Sequence, residues 1–277
     1  MRPAKLFGVL VVTALLLSLA WPVAAAPPPD NPGKGPPELG RIVFIHYEKD
    51  FAPGKPPGTP GKSPGNKEDK LYSYSGIHWA DSDIPVYYWI NLANSRVDVA
   101  DAIAGITAAF QTWEDDPRSY MDFECNGTTT TLTPGIFADE PDYQNVVGWA
   151  DLSAEYPDAI AVTVTWYLLG IKLIVDCDIA LNTDPAFAWT QYDIGTADPN
   201  NELLPDTPGY YDVDVQNIMT HEAGHWLQLD DLYQETEPYT EQTMYGYATD
   251  RELKKRSLES GDIAGIRKIY PIRGKKK

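Results

Sequence analysis

His221, Glu222 and His225 stand in the stretch "NIMTHEAGHWLQLDDLY" (217–233) at a spacing suited to metal chemistry. On a helix, side chains four residues apart share a face, so both imidazoles can reach one ion. Glu222, the next residue round, lies beside that ion without binding it. A carboxylate so placed can take a proton from water activated by the metal and deliver it to a leaving amine. The chemistry is metal-assisted hydrolysis of a peptide bond. A catalytic zinc of this kind normally has three protein ligands. The chain has four histidines, and the other two, His46 and His78, lie far upstream, where they read as ordinary non-ligand residues.

The elements that must position these residues are partly legible. Asp214 can cap a helix beginning at Val215, which would carry all three groups. Upstream, "IPVYYWINL" (84–92) has the β-branched and aromatic content of a strand. Val99, Ile103, Ile106, Phe110 and Trp113 then recur at helical spacing and mark the core stripe of an early helix. Short β-rich runs follow at 128–133, 159–167 and 171–182, separated by turn-rich segments. A last helix is expected at 262–270, with Ile263, Ile266 and Ile269 inward and Pro271 ending it. The order implies an α+β domain, residues 71–273.

"HEAGHWL" resembles the active-site helix of the matrixin-like metzincin zinc peptidases. "TMYGY" (243–247) is similar to that family's methionine turn, and "SGDIAGIRKIYP" (260–271) to its closing helix. "IHWADSDIPVYYWIN", "AIAGITAAFQTWE" and "VDCDIALN" are similar to its opening strand, first helix and central strand. The resemblance spans residues 76–271. It implies a metzincin-like catalytic domain: a twisted mixed sheet with an early helix, an active-site helix and a C-terminal helix. It also makes His221 and His225 zinc ligands, Glu222 the general base and Met244 the floor beneath the metal. Tyr245 and Tyr247 would line the pocket for a substrate side chain, and the run at 159–167 would be the sheet edge that receives the substrate.

The family's third ligand falls ten positions after the first and is usually histidine, with a glycine three positions before it. Here those positions hold Asp231 and Gln228. Some members use aspartate, so the resemblance selects Asp231. A left-handed turn at a residue other than glycine costs about 1–2 kcal/mol, and a shifted turn would bring Asp230 into contention. The family's second, structural zinc has no histidine to hold it here, so one zinc is expected. The cysteine-based latency of matrix metalloproteinases needs a thiol in the pro-segment, and residues 27–70 contain none. If the enzyme is latent, another group must block it.

The bulk sequence fits an exported protein. Arg2 and Lys5, an apolar run at 6–19 and the small residues ending at Ala26 read as a signal peptide, residues 1–26. No membrane span is then expected in the mature chain. Residues 27–70 are rich in proline and glycine and read as a linker or short pro-segment. One island in it, "RIVFIHYEK" (41–49), alternates like a strand that docks on something. In an oxidising compartment Cys125 and Cys177 are expected to form a disulfide. Residues 274–277 read as a basic tail.

Net charge is −18, and between Arg118 and Arg251 the only cationic side chain is Lys172. That balance excludes nucleic acid as a partner and is compatible with bound calcium. The expected protein is a secreted monomeric zinc endopeptidase acting on polypeptide. A non-catalytic extracellular or envelope binding module, keeping the fold with a degenerate metal site, is the second reading.

Overall fold

The structure, a computed structural model, describes residues 37–49, 70–195 and 197–272. The expected signal peptide and basic tail, and most of the 27–70 segment, lie outside the described residues. In chain order the elements begin with β1 (Leu39–Glu48), β2 (Ser73–Tyr74), β3 (Val86–Asn91), α1 (Val99–Glu114) and β4 (Phe123–Thr129). β5 (Val146–Ala150), β6 (Ala159–Leu168), β7 (Leu173–Asn182), β8 (Phe187–Thr190) and β9 (Tyr211–Asp214) follow. The chain then forms α2 (Val215–Trp226), β10 (Leu229–Asp230), β11 (Tyr247–Ala248) and α3 (Ser260–Ile269).

Seven strands form one mixed sheet in the order β11-β1-β6-β7-β5-β3-β4. All neighbours run parallel except at β6, which is antiparallel to both β1 and β7. The fold class is thus α+β, with a sheet and few helices. The sequence of β6 alternates Val and Thr and is buried over most of its length, as expected where both faces are covered. The island at 41–49 is a full member of the sheet. β1 pairs along β6 from Leu39↔Leu168 to Tyr47↔Ala159, with a register shift after His46. The sheet therefore draws a strand from upstream of residue 71, and the 159–167 run, expected as an open edge, is an interior strand.

α1 and α2 pack together beside the sheet. The Trp113 indole N–H donates to the Thr220 carbonyl at 2.8 Å, and the Phe110 and Trp226 rings meet at 5.0 Å. Ile106, Phe110 and Trp113 are buried as their spacing requires. Val99 is 56% exposed because it is the first helical residue and precedes the packed stretch. A smaller apolar cluster joins Tyr47, Val162, Val164, Trp166 and Ala180, drawn from β1, β6 and β7.

The expected disulfide is not formed: Cys125 and Cys177 are both free thiols. Cys125 lies on β4 and Cys177 on β7, with β5 and β3 between them. Three interstrand steps of ~4.8 Å put the two backbones on the order of 14 Å apart, about twice what a disulfide spans. Burial pushes the Cys177 thiol well above its ordinary pKa.

Candidate metal centre

α2 starts where the sequence suggests. The Asp214 side chain accepts the Asn217 N–H at 2.8 Å and is itself held by Arg256, whose Nε donates to Asp214 Oδ1 at 2.7 Å. The helix carries His221, Glu222 and His225, all fully buried. It ends at Trp226, and the chain reverses at Gln228, where φ is 63°. This is the left-handed position where the family has glycine. The Gln228 amide offsets the strain by donating to the His225 carbonyl at 2.9 Å and to Thr165 Oγ1 at 2.8 Å.

After the turn, β10 pairs with β2 and brings the chain back alongside the helix. Asp230 faces away from the histidines, with its Oδ2 accepting from Ser73 Oγ at 2.7 Å. Asp231 faces them. Its Oδ1 lies 3.1 Å from His221 Nε2 and 3.5 Å from His225 Nε2, and the two Nε2 atoms are 3.1 Å apart. Ligands at zinc distances of about 2.0–2.1 Å in a tetrahedron are themselves separated by roughly 3.3 Å. The three donor atoms therefore fit one ion.

The surroundings fix the donors for that role. His221 Nδ1 donates to the Thr243 carbonyl at 2.7 Å and His225 Nδ1 to the Leu229 carbonyl at 2.8 Å, which turns both Nε2 lone pairs inward. Burial lowers the His221 pKa to about 3, so that imidazole is neutral. Burial disfavours charge on Asp231, but the two imidazoles outweigh it and hold the carboxyl well below its usual range. Asp231 Oδ2 accepts the Tyr233 hydroxyl at 3.0 Å, whereas the buried Oδ1 has no hydrogen-bond partner. A carboxylate oxygen within 3.5 Å of two imidazole nitrogens completes a donor set close enough to hold a metal ion.

Met244 is fully buried against α2. A Cβ on Gly224 would lie 2.2 Å from the Met244 sulfur, so the glycine lets the methionine turn approach the helix. Asp262 of α3 pins that turn by accepting the Thr243 N–H at 2.8 Å and the Met244 N–H at 3.2 Å. Tyr245 and Tyr247 follow, their rings edge to face at 5.8 Å, with Tyr233 against Tyr247 at 5.2 Å.

Glu222 projects toward β6 and β1. Its Oε2 accepts the Thr163 hydroxyl at 2.5 Å, and its Oε1 lies 3.2 Å from His46 Nδ1. Burial pushes the Glu222 carboxyl up to about 7. His46 Nε2 is in turn 3.0 Å from the Nζ of Lys255, a fully buried lysine that also donates to the carbonyls of Tyr245 at 2.6 Å and Tyr247 at 2.9 Å. Two β1 side chains thus cover the cluster: the Phe44 ring stacks on His225 at 4.0 Å, and the His46 ring lies 3.9 Å from His221.

No protein-family model matches the chain, and no curated protein matches it significantly.

The structure brings His221, Glu222, His225 and Asp231 together and leaves Asp230 and His78 outside. His78 sits where β-bridging joins it to Leu173, with its ring near the Tyr74 hydroxyl. Sequence reading took His46 as an ordinary histidine, yet it reaches the centre. Its signal was a polar residue on the inward face of an otherwise apolar strand. Thr163, Tyr233 and Lys255 also touch the site. A hydroxyl in a Val-Thr alternation and a tyrosine two residues after a ligand carry no distinctive sequence signal.

Proposed function

We propose that the chain is a zinc-dependent endopeptidase of the matrixin-like metzincin type. The observation that carries this reading is the triangle of His221 Nε2, His225 Nε2 and the unpartnered Asp231 Oδ1, with a second carboxylate, Glu222, beside it and outside it. Among the described residues two groups of His, Asp or Glu are close enough to hold a metal ion, and they share His221.

In this reading His221, His225 and Asp231 hold the ion, and the carbonyls of Thr243 and Leu229 keep the imidazoles aimed. Zinc, when bound, supplies Lewis acidity that lowers the pKa of water to about 7 and polarises a carbonyl. Glu222 takes the proton from the attacking water and gives it to the amide nitrogen as the C–N bond breaks. Thr163 orients the Glu222 carboxylate through Oε2. Tyr245 and Tyr247 shape the wall beside the cleft, and Met244 supports the centre from below. An exported monomer acting on polypeptide fits this chemistry. No helix among the described residues is long and apolar enough to cross a membrane. Gln228 sustains its own turn and Asp231 stands where a third donor is needed, so neither departure argues for a disabled centre.

The test is zinc content of the purified, dialysed protein, with casein digestion by the wild type and Glu222→Gln. One zinc per chain, retained in Glu222→Gln while digestion is lost, is expected. A chain that takes up no zinc sinks the reading.

A further inference from the structure

β1 lies between β6 and the edge strand β11 of the large sheet. It runs antiparallel to β6 on one side and parallel to β11 on the other, with Tyr47↔Tyr247 and Glu48↔Ala248 as the β11 partners. The Lys49 N–H extends this ladder to the Ala248 carbonyl at 3.0 Å. Without β1, the edges of β6 and β11 would face each other across a gap of roughly 10 Å, two strand spacings, which admits one extended chain. Glu222 and the histidines lie under that gap.

The strand also fills the site with side chains. Because successive residues point to opposite faces, Phe44 and His46 both turn toward α2, while Val43 and Ile45 pack in the smaller cluster on the other face. His46 takes one oxygen of Glu222 and Thr163 the other, so the imidazole holds the place beside Oε1. Phe44 lies flat on His225. His221, Glu222 and His225 are consequently fully buried, and no polypeptide can reach them while β1 is in place.

The main core does not depend on the strand. Its buried members come from the segment before β3 that holds Ile77 and Trp79, from α1, α2, β3 to β9 and the loops among them, and from the segments after α2, with only the partly buried Ile42 contributed by β1. The sequence on either side of β1 is rich in proline and glycine. Backbone ladders recognise any extended peptide through main-chain hydrogen bonds, and the pockets between them select alternate side chains.

We propose that the gap between β6 and β11 is the substrate groove and that Leu39–Glu48 is its resident occupant, a built-in substrate mimic that holds the peptidase latent. This rests on the peptidase reading and adds its regulation and the form of its substrate. The substrate binds as an extended strand antiparallel to β6. It presents an apolar or aromatic side chain over His225 and, two residues on, a hydrogen-bond acceptor toward Lys255. Displacing β1 frees Glu222 Oε1, Lys255 Nζ and both strand edges together.

The test uses the full-length chain with a site-specific protease sequence inserted between Gly65 and Asn66, assayed on labelled casein before and after the cut. Zinc content is measured in each form, and fluorescein-labelled peptide of the sequence 39–48 serves as the groove probe. The uncut chain is expected to be at least tenfold slower than the cut chain. Excess free 39–48 peptide should return the cut chain to the uncut rate by raising KM with kcat unchanged. Equal rates before and after release of the fragment overturn the proposal, as does failure of the released chain to bind the labelled peptide. A released chain that holds zinc and binds the peptide but cleaves nothing keeps the groove and removes the peptidase reading instead. If the fragment stays bound after the cut, uncut Phe44→Gly/His46→Gly decides. A rate gain there supports the proposal, and no gain with zinc bound and the β-sheet signal unchanged overturns it.

Discussion

The Gln228 side chain donates to the His225 carbonyl at 2.9 Å, three residues back, while the Gln228 backbone holds a left-handed conformation at φ 63°. One residue therefore both incurs the strain of the turn and satisfies the His225 carbonyl at the end of the helix that carries the candidate metal ligands. Alanine here would keep the strain and lose both amide bonds, each worth about 0.5–1.5 kcal/mol. Glycine would lose the same bonds but relieve about 1 kcal/mol of strain. Gln228→Ala should thus be the more destabilising in urea unfolding, by about 1 kcal/mol. A glycine variant as unstable as the alanine one would mean that the amide, not the backbone, decides the site.

Asp231 and Asp230 should separate cleanly. Asp231→Ala removes the oxygen that faces both imidazoles and should weaken zinc binding by at least a hundredfold in a chelator competition. Asp230→Ala removes the bond to Ser73 that ties β10 to β2. It should lower stability by about 1 kcal/mol with zinc affinity changed little. The opposite ranking would displace Asp231 from the centre.

Glu222→Gln should keep zinc and lose between roughly a hundredfold and ten-thousandfold in kcat, the usual worth of a positioned acid or base. The measurement belongs on whichever form of the chain digests casein. Turnover near that of the wild type would leave the proton transfer without its base.

Asp176 and Asp178 stand two apart on β7, on the same face. Burial pushes Asp176 up to about 7, with the Asp142 charge adding to it, and burial and Asp176 likewise hold Asp178 well above its ordinary value. A folded-state pKa above the unfolded value of about 3.9 stabilises fully below that value and is lost as pH rises through about 7. Asp176→Asn keeps an acceptor for the Asp142 N–H and carries no charge. Relative to the wild type it should gain stability on going from about pH 5 to about pH 8, in chelator. Calcium should raise the wild-type melting temperature at the higher pH and raise that of Asp176→Asn less. Parallel pH profiles for the two proteins would rule out this pair as the source.

Denatured without reductant, the protein should titrate two thiols. In the native state Cys177 should resist alkylation, since it is fully buried and its thiol is held protonated. An absence of free thiols after denaturation would require the two strands to rearrange.

What could be read in advance was local. The cap at Asp214, the period of α1, the alternation of β6 and β7 and the face shared by His221 and His225 all depend on residues within a few positions of one another. Asp231 was reached by spacing, and the turn that makes the spacing work depends on a side chain, Gln228, whose partner Thr165 is 63 residues away in sequence. The disulfide expectation failed for a related reason: composition gives the compartment, whereas pairing depends on strand order. The island at 41–49 was legible as a strand but not as a cover for the site, because nothing in its own sequence names β6 or β11 as neighbours. β5, β8 and β9 are too short to show a period.

The position of β1 also sets an order of assembly. It is the first described strand to leave the ribosome, yet its partners are Ala159–Leu168 and Tyr247–Ala248. Contacts so distant along the chain form late, because the loop must close before pairing offsets its entropy. β11 follows β6 only after β7 to β10 and α2, so the gap beside it cannot be completed until all of these have been made. Until β11 has emerged, β1 has only the β6 edge to hold it, and it competes with any other extended segment nearby for that place.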